Sequence, residues 1–90
     1  MLTLDLRQRA SKFMQKLPPK HRRQISEKIL ALQNDPLPHD SERLTGFFYW
    51  RADVGEYRII YRVEASVLFI PLIGKRNDDE VYKRLKRMGG

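Results

Sequence analysis

The chain has no cysteine, so disulfides and thiolate metal sites are excluded and a reducing compartment is unremarkable. Its two histidines, His21 and His39, lie far apart with no carboxylate pattern beside either, which argues against a metal site. Both are expected at the surface. No apolar run approaches the roughly 20 residues needed to cross a bilayer. The opening Met1-Leu2-Thr3-Leu4-Asp5-Leu6 lacks the basic segment and long apolar stretch of a secretory signal. A cytoplasmic protein without membrane contact, cofactor or metal is therefore expected. Internal repeats and low-complexity segments are also missing.

Acidic residues are outnumbered, 11 against 18 lysines and arginines, for a formal net charge of +7. A small basic protein repels its own kind and attracts polyanions, among which nucleic acid is the commonest. Divided at its midpoint, the chain carries +4 in residues 1–45 and +3 in 46–90, so charge alone does not locate a site. Ninety residues, 41% hydrophobic and 32% charged, suit one globular domain over 1–90 with a thin stability margin.

The pattern opens with a short strand, Leu2, Leu4 and Leu6 sharing a face. Leu6, Ala10, Phe13, Met14 and Leu17 then follow helical spacing, and Phe13 and Met14 are expected in the core. Pro18-Pro19 ends that helix and starts another, which Ile25, Ile29 and Leu32 carry to about Asn34. The outer faces of this helical hairpin, with Lys12, Lys16, Lys20, Arg22, Arg23 and Lys28, are basic: solvated surface, or a dock for a large polyanion. Residues 34–40 form a loop by composition.

After Leu44-Thr45-Gly46 the alternation becomes that of β-structure. Phe47 to Ala52, Tyr57 to Val63 and Val67 to Ile73 read as three strands, separated by turns at Asp53-Val54-Gly55-Glu56 and Glu64-Ala65-Ser66. Pro71 removes a ladder donor and demands a bulge or an unpaired position. Asp78-Asp79-Glu80 opens a short helix with Lys83, Arg84, Lys86 and Arg87 toward its negative end. The expected fold is α+β, in the order β-α-α-β-β-β-α. An N-terminal strand and helical hairpin pack on a small, mainly antiparallel four-stranded twisted sheet.

On the middle strand Tyr57, Ile59, Tyr61 and Val63 point one way, and Arg58, Ile60 and Arg62 the other. With helices over the first face, the second is open and bears arginines. Tyr49 and Arg51 share a face on the preceding strand; Arg76 follows the last strand, and Tyr82 lies six residues on. Arginine grips phosphate bidentately, and planar side chains stack on splayed bases, so such a face suits single-stranded RNA. It is equally the polar side of a half-exposed antiparallel sheet.

The run Gly55-Glu56-Tyr57-Arg58-Ile59-Ile60-Tyr61-Arg62-Val63, then Gly74-Lys75-Arg76 and Glu80-Val81-Tyr82, resembles the RelE family of toxins from toxin–antitoxin modules, within the RelE/ParE superfamily. Leu44-Thr45-Gly46 and the helical hairpin extend the resemblance over nearly the whole chain. It implies a ribosome-dependent messenger-RNA endonuclease that enters the ribosomal A site. Cleavage there is metal-independent: the ribose 2′-hydroxyl attacks the adjacent phosphate. Such chemistry wants a proton acceptor, cations for the phosphorane and a donor for the leaving oxygen.

By the resemblance, Arg58 and Arg76 fall on the family's active-site arginines, and Tyr82 on its C-terminal tyrosine, a candidate base that also orients the nucleotide. Arg51 matches one member of a lysine pair and Tyr49 the other. Neither replacement is a ready proton acceptor at neutral pH, so the base is unassigned, and Lys75 offsets part of the missing charge. Tyr49, Arg62, Lys75 and Lys83 are the candidate RNA contacts. The resemblance further implies a RelB-like antitoxin partner in a hetero-oligomeric complex. Two alternatives keep the fold: a ParE-like toxin that inhibits gyrase without nuclease activity, and a relative with weakened catalysis that retains RNA or antitoxin binding.

Overall fold

A computed structural model describes residues 1–38, 41–44, 48–76 and 80–87, excepting the side chains at 80–82 and 85. The order is β1 (Thr3–Leu6), α1 (Gln8–Gln15), α2 (Pro19–Asn34), β2 (Ser41–Arg43), β3 (Trp50–Val54), β4 (Tyr57–Glu64), β5 (Val67–Lys75) and α3 (Glu80–Arg87). The strands form one sheet in the order β1-β5-β4-β3-β2, with β1 parallel to β5 and the other pairs antiparallel. This is the expected α+β architecture with one strand more than the four expected. The addition, β2, is only Ser-Glu-Arg and has no apolar alternation to announce it. It exists through pairing with the edge of β3, with Glu42 opposite Arg51 and Ser41 opposite Ala52.

The helical stripes close over one face of this sheet. Ala10 and Met14 from α1 and Ile25, Ile29 and Leu32 from α2 pack with Ala52, Tyr57, Ile59, Tyr61, Leu68 and Ile70. That is the inward half of the alternation on β4, as the pattern required. Pro19 occupies the first turn of α2, where a missing N–H costs nothing. The far end of α2 is tied to β1: the Leu2 N–H donates to the Gln33 carbonyl (2.9 Å), and Gln33 Nε2 donates to the Leu2 carbonyl (2.8 Å). Tyr61, wholly buried, donates its hydroxyl to the Pro36 carbonyl and anchors the following loop.

His21 corrects an expectation. It is half-buried rather than simply on the surface, with Nδ1 2.7 Å from the Tyr57 hydroxyl and its ring edge-to-face with Tyr57. His39 lies outside the described residues.

Two features set the second face. The register between β4 and β5 shifts between Ile60 and Arg62, so Ile70 and Pro71 together oppose Tyr61. The bulge accommodates the proline, and β1 pairing ends at Ile70, one residue before it. Beyond the bulge the alternation of β5 is reversed, which turns Leu72 and Gly74 to the side of Ile60 and Arg58. The β3–β4 connection is the two-residue turn Gly55-Glu56, with Gly55 at φ +56. A glycine with positive φ at the first central position is the type II′ pattern, which matches strand twist.

Candidate functional site

The tight Gly55-Glu56 turn fixes which residues meet across it. Asp53 stands directly opposite Arg58, and Arg58 stands opposite Gly74 on its other side. The Arg58 guanidinium is gripped side-on: Nε donates to Asp53 Oδ1 at 2.7 Å and Nη2 to Oδ2 at 3.2 Å. Only 12% of the Arg58 side chain is exposed. Arg51, two residues before Asp53, donates to Glu42 on β2 and reaches Asp53 Oδ2 at 3.7 Å. Arg51 and Arg58 therefore sit as predicted on the face away from α1 and α2, but two carboxylates neutralise them locally.

Arg76 completes this end of the sheet. Its N–H donates to the Glu56 carbonyl at 2.8 Å, extending the β4–β5 ladder past Lys75, which is opposite Tyr57. Both Lys75 and Arg76 are exposed, and Arg76 has no ion-pair partner among the described residues. Arg58 and Arg76 are thus brought to one end of adjacent strands by backbone register. Tyr82 lies on α3, with its side chain outside the described residues. Lys83 is exposed on the same helix, which packs against β5.

The remaining two candidates form a separate group. Arg62 is opposite Phe69, and its guanidinium carbon lies 4.6 Å from the Phe69 ring centre and 5.5 Å from that of Tyr49. Arg7 approaches Phe69 as well, at 5.5 Å, while bridging to Asp5 at 3.5 Å. Planar cations and rings alternate here at cation–π distance. Arg62 Nε is buried without a hydrogen bond among the described residues, and the Glu64 carboxylate lies 3.6 Å from it. Tyr49 is buried with Leu44, Ile60 and Leu72. As it stands it packs the second face and stacks on Arg62 rather than offering an open ring to a base.

Dividing the chain at its element boundaries locates the charge that a midpoint division hid. Residues 8–34, the helical hairpin, hold seven lysines and arginines against a single carboxylate, Glu27. That excess of +6 is most of the net charge of +7. Arg9, Lys12, Lys16, Lys20, Arg22 and Arg23 are all exposed. The fold therefore presents a strongly cationic helical layer, while on the opposite sheet face Arg51 and Arg58 are met by the carboxylates of Glu42 and Asp53.

The family model for the ParE toxin of the type II toxin–antitoxin system parDE matches residues 4–80. The chain belongs to the ParE toxin family. This toxin is also similar to solved RelE structures. It is 28% identical to the isolated E. coli RelE toxin, with a TM-score of 0.74 over 98% of this chain and 99% of that one. A double mutant of E. coli RelE in the free state gives a TM-score of 0.79 at 28% identity, covering 97% of each chain. The intact E. coli RelBE toxin–antitoxin complex matches at 25% identity and a TM-score of 0.74, covering 87% of this chain and all of that one. A search of curated protein sequences finds no match. Among the described residues, no helix of the toxin is long and apolar enough to cross a membrane.

Proposed function

We propose that this toxin is a ribosome-dependent messenger-RNA endonuclease acting in the cytoplasm. The observation that carries the reading is the convergence of Arg58 and Arg76 at one end of the β4–β5 ladder, held by the Gly74 pairing and the 2.8 Å Arg76–Glu56 bond. Likeness to RelE over nearly the full chain supports it. In the proposed reaction the ribose 2′-oxygen attacks phosphorus as it loses its proton, and the bond to the 5′-oxygen breaks as that oxygen takes a proton from solvent, giving a 2′,3′-cyclic phosphate and a 5′-hydroxyl. Arg58 and Arg76 offset the charge on the phosphorane, Arg76 beside the leaving oxygen. Arg51 adds charge, and Tyr82 orients the nucleotide or accepts the 2′-proton. Lys75, Lys83 and Arg62 line the RNA path in this reading, and Tyr49, buried behind them, holds the Arg62 guanidinium in place.

The cationic helical layer suits a polyanion as large as the ribosome. An antitoxin that silences the toxin is the expected partner, as relatives crystallise in toxin–antitoxin complexes. The test is a translation reaction programmed with one message. Cleavage within the A-site codon is expected, and intact message would overturn the reading.

A second reading is favoured by the carboxylate-bound state of Arg51 and Arg58 and by the family model itself. A ParE-like toxin that inhibits gyrase has no need of a free phosphate seat. A supercoiling assay separates the two: inhibition with message left intact supports the second.

A further inference from the structure

Cleavage by Arg58 and Arg76 leaves one strongly placed group without a role. Asp53 touches both arginines of the β3–β4 pair: two bonds to Arg58, and 3.7 Å to Arg51. Glu42 engages Arg51 and is two-thirds exposed, whereas Asp53 is 31% exposed and faces the more sheltered arginine. From this geometry we infer that Asp53 is the positioning residue of a two-arginine phosphate seat. The inference rests on the nuclease reading for its catalytic consequence.

Direction matters here more than pair strength. In a largely sheltered ion pair desolvation offsets much of the attraction, but a bidentate one restricts orientation. A guanidinium has five N–H donors in a rigid plane. Asp53 takes one from Nε and one from Nη2, which fixes the plane and the direction in which the group can address a phosphate. The same carboxylate draws Arg51 toward Arg58, against the repulsion of two like charges. Asp53 is itself fixed, because the two-residue Gly55-Glu56 turn leaves it no other register opposite Arg58. Without the carboxylate, the two cations still attract RNA but no longer converge.

Binding and turnover should then respond in opposite ways. Asp53→Asn removes a negative charge beside the seat, so ribosome and message are bound at least as tightly as by the wild type. Misdirected arginines lower the single-turnover cleavage rate, by about 10²-fold for a displacement near 1 Å. Asp53→Glu, which keeps the carboxylate, recovers part of that rate. A merely structural role would move neither in this split fashion, and thermal melting of each variant checks the fold.

The same proteins answer in ¹⁵N spectra of the full chain. The Arg58 Nε–H signal, recognised by its disappearance in Arg58→Ala, is slowly exchanging in the wild type and absent or fast-exchanging in Asp53→Asn. Cleavage by Asp53→Asn at the wild-type rate, or an unchanged Arg58 Nε–H signal, overturns the inference. Wild-type protein that binds ribosomes without cutting removes the nuclease reading instead. The Nε–H signal then decides alone whether Asp53 fixes Arg58.

Discussion

Arg58 shows how far a single residue can be read from sequence. Strict alternation in Tyr57-Arg58-Ile59-Ile60-Tyr61-Arg62 puts it opposite the apolar side chains, and the sheet agrees. Its partner was equally available: a two-residue turn at Gly55-Glu56 sets residue 53 opposite residue 58, yet a four-residue turn conceals the pair. Tyr49 was less legible, because the same alternation serves an exposed stacking ring and a buried one. The small cluster of Leu44, Ile60 and Leu72 buries it. Truncating Tyr49 to alanine should therefore cost roughly 3–5 kcal/mol of stability by the usual toll of a core aromatic, read as a lowered midpoint in urea. Tyr49→Phe should unfold close to the wild type. Tyr61→Phe removes one buried hydrogen bond to Pro36 and should cost about 1 kcal/mol, measured by the same titration.

At the scale of elements, the helices and strands β4 and β5 follow from periodicity and turns, while β3 continues past the expected end at Ala52 because the turn is two residues long and Asp53 and Val54 pair with Arg58 and Tyr57. Pro71 announced its own bulge because a missing donor in a ladder has few solutions. β2 was illegible for the opposite reason: Ser41-Glu42-Arg43 carries no hydrophobic period, and its pairing is decided by the neighbouring edge. Strain gathers in the β4–β5 turn. Ala65 and Ser66 both adopt positive φ, 49° and 64°, a conformation that side chains other than glycine and asparagine adopt at a cost of about 1–2 kcal/mol. The double change Ala65→Asn and Ser66→Gly should relieve about 1 kcal/mol and raise the melting temperature by roughly 4–8 °C for a domain of this size. Differential scanning calorimetry checks it, and an unchanged or lower midpoint would show that the turn stores no such strain.

The whole molecule separates charge from the candidate phosphate seat. Most of the net positive charge belongs to the helical hairpin, while on the sheet face Arg51 and Arg58 are balanced by Glu42 and Asp53. Binding and reaction are thereby separable in experiment. Lys12→Glu, Lys16→Glu and Arg23→Glu together should weaken ribosome binding and flatten its salt dependence, by roughly 0.7–0.9 in the log–log slope for each phosphate no longer neutralised. Arg76→Ala should change that slope by no more than the roughly 0.7–0.9 of a single phosphate contact.

Arg76 carries the central claim, that this toxin cuts message at the end of the β4–β5 ladder. Primer extension on messages from cells briefly expressing the toxin tests it most directly, with wild type and Arg76→Ala compared at equal expression. Breaks within codons of translated messages are expected for the wild type, and a reduction of about 10²–10³-fold in their rate for Arg76→Ala. Intact messages during growth arrest by the wild type, or equal cleavage by both proteins, would contradict it.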